Sequence, residues 1–227
     1  MPRKAMRFGA LLAGVLVGLP IVLTLLYTVV PPVSTLMLRD LILLRGYDRD
    51  WVALDDVTAV LENSIIASED QTFCTHNGVE WQALSDQFER WRAGEEARGA
   101  STLSMQVARN VFLWQGRSVV RKALEVPLAV LIDSVWSKRR MMEVYINIAE
   151  LGPQVYGFEA AAQRAFGRSS ADLSRRQAAL LVATLPLPSQ RNAAQPTSRQ
   201  AGLADLIASR ARRMGGYIGC LAPHDNQ

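Results

Sequence analysis

Four stretches of the 227-residue chain carry side chains suited to chemistry. The first reads Glu69-Asp70-Gln71-Thr72-Phe73-Cys74-Thr75-His76-Asn77-Gly78: two adjacent acids, then an aromatic ring, an imidazole and a glycine. A carboxylate in a cleft can take the proton of an attacking hydroxyl; at a helix end the same pair serves equally as a solvated cap or a salt-bridge partner. The second, Gly99-Ala100-Ser101-Thr102, opens a segment carrying Gln106, Arg109 and Asn110. Small residues leading into a helix N-terminus present N–H groups to an anion, and they also open ordinary capped surface helices. In the third, Arg121-Lys122-Ala123-Leu124-Glu125, Arg121 and Glu125 stand one helical turn apart. That spacing suits a plain surface ion pair as well as a basic cluster built around an acid. The fourth runs from Lys138 to Asn147 and includes Glu143 and Tyr145.

Periodicity supplies the elements that must position these groups. Val57, Val60, Leu61, Ile65 and Ile66 recur at helical spacing ahead of Glu69. Thr102, Gln106 and Arg109 form a polar stripe at i, i+4, i+7, with Leu103, Val107 and Val111 as the apolar counterpart. Ser137 suits the N-cap of a helix whose apolar face holds Met141, Val144, Tyr145 and Ile148. Further helices span Arg175 to Leu185, stopped by Pro186, and Ala201 to Met214, ahead of Gly215-Gly216. Pro127 falls in the helix that carries Glu125 and would kink it or interrupt its hydrogen bonding. It could tilt Glu125 toward a cleft or answer a need of local packing; we favour packing. Alternating strand patterns are nearly absent and no internal repeat is visible, so the chain reads as a single mostly α domain.

Ahead of that domain, Phe8 to Val30 carries no charge. As a helix it would reach about 34 Å, against roughly 30 Å of bilayer hydrocarbon. Arg3, Lys4 and Arg7 precede it, which places the N-terminus in the cytoplasm and the remainder across the membrane. A cleaved leader would have a shorter apolar run and a small-x-small site, which Tyr27 to Pro32 does not offer. The expected organisation is a cytoplasmic stretch 1–7, a transmembrane helix 8–30, a membrane-proximal connector 31–50 and a catalytic domain 51–227. Leu36 to Leu44 is unusually apolar and reads as a core helix, with a membrane-facing segment as the alternative. The net charge of +4 comes without a basic stripe interleaved with aromatics, which argues against nucleic acid. It suits anionic lipid or an anionic substrate. His76 and His224 are the only histidines and no Cys/His cluster has ligand spacing, which disfavours a zinc site. Cys74 and Cys220, far apart in sequence, read as free thiols, with pairing in an oxidising compartment as the alternative.

The order Glu-Asp-x-x-Phe-x-x-His-x-Gly, Gly-x-Ser-Thr, Arg-Lys-x-x-Glu and Lys-x-x-Met-x-Glu-x-Tyr-Ile-Asn resembles glycosyltransferase family 51, the peptidoglycan glycosyltransferases. The resemblance runs from about Trp51 to Pro188, and Ala178-Ala179-Leu180-Leu181 to Pro186 is similar to the family's last motif. It implies a mostly α, lysozyme-like fold, with a head lobe and a smaller jaw lobe touching the membrane, on a single N-terminal transmembrane helix. One domain after the anchor, with no Ser-x-x-Lys nucleophile motif, resembles the members that lack a transpeptidase.

The reaction so implied joins lipid II to a growing lipid-linked glycan strand. A GlcNAc 4-hydroxyl attacks the MurNAc anomeric carbon, configuration inverts to a β-1,4 bond, and polyprenyl pyrophosphate departs. On the matching positions Glu69 is the general base. Glu125 is the second catalytic acid, which could assist the leaving group, hold a divalent cation or orient the basic cluster. Arg109 and Arg117 correspond to phosphate contacts, Lys138 to another cation of the cleft, and Asp70, Ser101, Thr102, Gln106 and Asn110 to further substrate-binding positions. Phe73, His76, Gly78, Arg121, Lys122, Glu143, Tyr145 and Asn147 take supporting roles. No cofactor is required by the resemblance, while Mg or Mn at the pyrophosphate is left open. The implied partners are the lipid substrates, the membrane and other cell-wall synthesis or division proteins, with the catalytic domain on the periplasmic side of the inner membrane. Two positions depart from the family pattern. Arg109 replaces a more usual lysine, keeping the charge and adding a planar fork, and Met105 replaces a glutamine, which puts one substrate hydrogen bond in doubt. A lysozyme-like enzyme that cuts glycan, and a scaffold without activity, are the rival readings; the basic residues around the acids argue against the first and the paired glutamates against the second.

Overall fold

The computed structural model describes residues 2–95, 99–116, 118–214 and 218–222, the side chains of 2–6 and 8–13 excepted. The chain is mostly helical in it. The helices are α1 (Pro2–Leu26), α2 (Thr35–Ile42), α3 (Ala59–Glu69), α4 (Trp81–Arg92), α5 (Leu103–Phe112), α6 (Val119–Val135), α7 (Lys138–Ile148), α8 (Phe158–Phe166), α9 (Arg175–Val182) and α10 (Ser198–Ala211). Hydroxyl side chains start most of them: Ser34, Thr58, Thr102, Ser118, Ser137, Ser174 and Thr197 each accept a first-turn backbone N–H, satisfying donors that the helix itself cannot. Two short strands, β1 (Glu150–Gly152) and β2 (Val155–Tyr156), pair antiparallel. They are too short for an alternating pattern to show in the sequence.

The core is built around α3, whose Leu61, Ile65, Ile66 and Ala67 are fully buried and which packs against α9 and α10. A second group forms where α5 packs on α6 and α7. The C-terminal end of α3 and the N-terminal half of α5 are thereby brought together, and the site lies there.

Helix α1 is docked against α6 rather than loosely tethered. The indole of Trp136 donates to the Thr24 carbonyl at 2.8 Å. Arg140 donates to the carbonyls of Tyr27 at 3.0 Å and Val30 at 2.9 Å, and Arg49 to that of Pro32 at 2.6 Å. The helix ends at Leu26 and turns through Val29, a little short of the expected 8–30 span. Among the described residues no helix is long and apolar enough to cross a membrane.

Helix α2 bears out the core-helix reading of the Leu36–Leu44 stretch on one face only. Leu36 and Met37 are in the core, while Leu38, Leu41 and Ile42 and the following Leu43 and Leu44 are exposed. Helix α6 likewise exposes Val119, Val120, Leu124, Val130 and Val135, and α4 exposes Trp81, Phe88 and Trp91.

One expectation is corrected. Cys74 and Cys220 form a disulfide, their Cα atoms 5.5 Å apart across 146 residues of sequence. The free-thiol reading fails because tertiary packing, which spacing alone does not show, brings the C-terminal turn beside the Glu69–Gly78 segment. Pro127 and Ala123 are exposed on a continuous α6, so the carbonyl deprived of its partner lies on the outer face.

Candidate active site

Glu69 is the last residue of α3, where the carboxylate leaves the helix and meets α5. Ser68 Oγ donates to Glu69 Oε1 at 2.8 Å, and Gln106 Nε2 donates to Oε2 at 3.2 Å. The far side of that amide is held in turn, since Tyr145 Oη donates to Gln106 Oε1 at 3.3 Å. Burial, with Glu69 close by, drives the Tyr145 phenol well above its usual range, so it stays a hydrogen-bond donor. The three residues fix both the amide orientation and the direction of the Glu69 carboxylate.

Arg109 follows Gln106 one turn along α5. Burial pulls its guanidinium below the usual range, while Tyr145 and Glu69 oppose that shift. Its Nε is buried and has no hydrogen-bond partner among the described residues. A buried cationic donor of this kind is costly unless a ligand completes it.

Beyond Arg109 lie two further cations from the first turns of α6. Lys122 is pushed down to about 8 by burial, then by Arg109 and Arg121. Arg121 is lowered by burial and then by Arg109. Lys122 Nζ donates to Ser101 Oγ at 2.7 Å and lies 3.3 Å from Glu125 Oε2. Arg121 pairs with the other oxygen of Glu125 and donates through Nε to the Gly116 carbonyl at 2.9 Å. Glu125 is 2% exposed. The charges thus run in series from Glu69 through Arg109 to Arg121 and Lys122, with Glu125 beneath the cations. One end can accept a proton; the other can hold an anion.

The remaining candidates are engaged in holding this arrangement. The buried Asp70 carboxylate pairs with His76 Nε2 at 2.9 Å and accepts the Leu103 backbone N–H at 2.8 Å. It therefore ties the end of α3 to the start of α5. His76 Nδ1 accepts the Gly78 N–H at 3.1 Å, which leaves Nε2 as the protonated nitrogen facing Asp70. Thr102 caps α5 and donates to the Gly78 carbonyl at 2.6 Å. Lys138 Nζ donates to the His76 carbonyl at 2.8 Å and Asp133 Oδ1 at 2.7 Å, above the buried Phe73 ring. Asn110 accepts from Gln115 through its side chain at 3.1 Å. Glu143 pairs with Arg140 and accepts the Leu54 N–H. Asn147 exchanges two 2.8 Å hydrogen bonds with the Val52 backbone. Met105 is fully buried in the core, so its side chain does not occupy a hydrogen-bonding position of the cleft. Arg117 lies outside the described residues.

The structure brings together Glu69, Gln106, Arg109 and Tyr145, and beside them Ser101, Arg121, Lys122 and Glu125. Asp70, Thr102, Lys138 and Asn110 each make hydrogen bonds within the protein beside them. Asp133 is a residue that the sequence reading misses. It joins Ser104 of α5 at 2.9 Å to Lys138 of α7; an aspartate late in an apolar helix is the signal that could have found it.

A transglycosylase family model matches residues 38–212, three quarters of the chain and every element of the site. Among curated relatives, a biosynthetic peptidoglycan transglycosylase of Rhizobium meliloti is 56% identical over 190 residues, covering 84% of this chain and 80% of its own. Proteins of the same name from Mesorhizobium japonicum and Agrobacterium fabrum are 53% and 49% identical, covering 96% and 95% of this chain and 94% and 99% of theirs.

Proposed function

Because the chain belongs to the transglycosylase family, we propose that it polymerises lipid II into β-1,4 glycan strands, releasing polyprenyl pyrophosphate, in cell-wall synthesis. The observation that carries this reading is the series of charges from Glu69 to Glu125. Glu69, oriented by Ser68 and Gln106, takes the proton of the acceptor 4-hydroxyl as the oxygen bonds to the anomeric carbon. The bond from that carbon to the pyrophosphate breaks with inversion, and the leaving group departs as an anion. Arg109, Arg121 and Lys122 stabilise the charge that develops on it. Glu125 holds Arg121 and Lys122 in place and keeps three neighbouring cations from repelling one another apart.

Both Glu125 oxygens are engaged by those cations, and among the described residues no three His, Cys, Asp or Glu side chains converge. The residues present do not make a cation site of their own, and the proposed chemistry takes no step through one. The exposed apolar surface of α1, α2 and α6 supports a chain anchored by its N-terminal helix in the inner membrane. The catalytic domain then lies on the periplasmic side, where lipid-borne substrates reach it at headgroup level. Other cell-wall synthesis or division proteins are its further proposed partners.

The test is polymerisation of purified lipid II, run beside incubation with finished glycan strands. The wild type is expected to make strands and to leave finished ones uncut. Glu69→Gln is expected to lower polymerisation by about 100-fold or more while thermal unfolding stays unchanged. Cleavage without synthesis, or near-wild-type synthesis by Glu69→Gln, would overturn the reading.

A further inference from the structure

The disulfide joins two segments that are also held side by side from the start of α7. Lys138, the first residue of that helix, donates to the His76 carbonyl of the Glu69–Gly78 segment at 2.8 Å. Arg139, the second, donates to the Leu221 carbonyl of the C-terminal turn and pairs with Asp55. Cys74 lies two residues before His76, and Cys220 precedes Leu221. The ring of contacts is therefore closed: α7 grips the catalytic segment with one residue and the C-terminal turn with the next, and Cys74–Cys220 joins the two. His76, a member of this ring, pairs with Asp70, which also accepts the Leu103 N–H. That relay sets how the end of α3, with Glu69, meets α5, with Gln106 and Arg109. Both cysteines are half-buried, within reach of a small reductant.

Resting on the reading above, we propose that Cys74–Cys220 is a positioning clasp for the catalytic segment, whose opening by a dithiol slows glycan transfer without unfolding the enzyme. Opening follows ordinary exchange. A thiolate of the dithiol attacks one cysteine sulfur, the S–S bond breaks, and the departing thiolate takes a proton. The second thiol of the reductant then displaces the remaining cysteine, so two electrons and two protons pass to Cys74 and Cys220 while the dithiol becomes a disulfide. The two hydrogen bonds from α7 remain, which is why the fold persists. Without the covalent side, segment 70–78 gains freedom at the point where Asp70 and His76 fix the α3–α5 junction. Loss of geometry there lowers turnover more than substrate binding, because Arg121 and Lys122 are held by Gly116, Ser101 and Glu125, which the clasp does not touch.

The experiment uses the full chain in detergent, with lipid II as substrate. The oxidised enzyme is compared with enzyme reduced by dithiothreitol, with the same sample reoxidised after reductant removal, and with Cys220→Ser. Thiol titration and thermal unfolding accompany each rate. On reduction kcat is expected to fall by about tenfold, inside the ~100-fold that a 1 Å misplacement can cost, with KM within twofold. Reoxidation restores kcat, and Cys220→Ser starts low and ignores the reductant. A purely structural disulfide would lower the melting temperature but leave kcat well below that temperature unchanged, and that result overturns the proposal. Two free thiols in the enzyme taken from an oxidising compartment would also overturn it. If the oxidised wild type fails to polymerise, the proposed function fails instead, so the two failures are distinct.

Discussion

Lys122 shows what it costs to gather cations before the anion arrives. Its ammonium is pushed down to about 8, by burial first and then by Arg109 and Arg121, in spite of Glu125 at 3.3 Å. The folded protein therefore holds this proton more weakly than the unfolded chain does. The charge is present below about pH 8 and is lost as pH rises through that value, and with it one donor toward the leaving pyrophosphate. We expect kcat/KM, which reports the free enzyme, to fall on the alkaline side with a midpoint near 8. Lys122→Arg should move that limb upward by more than a unit, because guanidinium stays charged. A pH–rate profile of the two proteins checks this, and coincident alkaline limbs would remove Lys122 from the anion site. The linked effect on stability has the opposite sign. Where the unfolded chain binds more protons, stability rises with pH, so folding gains between about pH 8 and the ordinary lysine value.

At the scale of elements, the site is the meeting of α3, α5 and α6, and Gly78 shows how close that meeting is. Its φ of +88° is one that side chains rarely adopt, and a Cβ there would sit 2.8 Å from the Ala129 carbonyl oxygen on α6. The Thr102 hydroxyl also reaches the Gly78 carbonyl, so the backbone here cannot retreat. Gly78→Ala should cost about 2 to 3 kcal/mol in urea unfolding, and a cost below about 0.5 kcal/mol would mean the contact relaxes freely. Much of this architecture is legible in the sequence because it rests on local rules. The hydroxyl cap at Ser137, the apolar periodicity before Glu69 and the turn ended by Arg121 and Glu125 are each read from a few neighbouring residues. What is not legible depends on packing between distant segments. The Cys74–Cys220 pair spans 146 residues, and only tertiary contacts show Leu103, His76 and Asp133 as partners of Asp70 and Lys138. The strands β1 and β2 are hidden for another reason: five residues are too few for a period of two to register.

On the scale of the whole molecule, the exposed apolar residues acquire meaning only together with the docked α1. Its end is fixed to the domain through Trp136, Arg140 and Arg49, so any depth α1 takes in a bilayer is transmitted to α6 and its cations. The exposed apolar residues of α2 and α6, Ile42 at 72% and Val130 at 39% exposure among them, are candidates for contact with the same membrane. An apolar face of this kind on an ordinary surface helix would carry polar residues. The proposed membrane anchor would account for it, with the cation cluster then near the lipid phosphates. Neither residue touches the proposed chemistry, which makes them suitable probes. The pair Ile42→Glu and Val130→Glu places two acids where apolar contact with lipid is expected, each unfavourable by up to about 1 kcal/mol near the interface. Polymerisation of lipid II carried in vesicles should fall by about tenfold, while the rate in detergent micelles, which reshape around the protein, stays within twofold of wild type. Equal rates in both settings would mean that α1 alone sets the depth of the enzyme and that these faces meet something other than lipid.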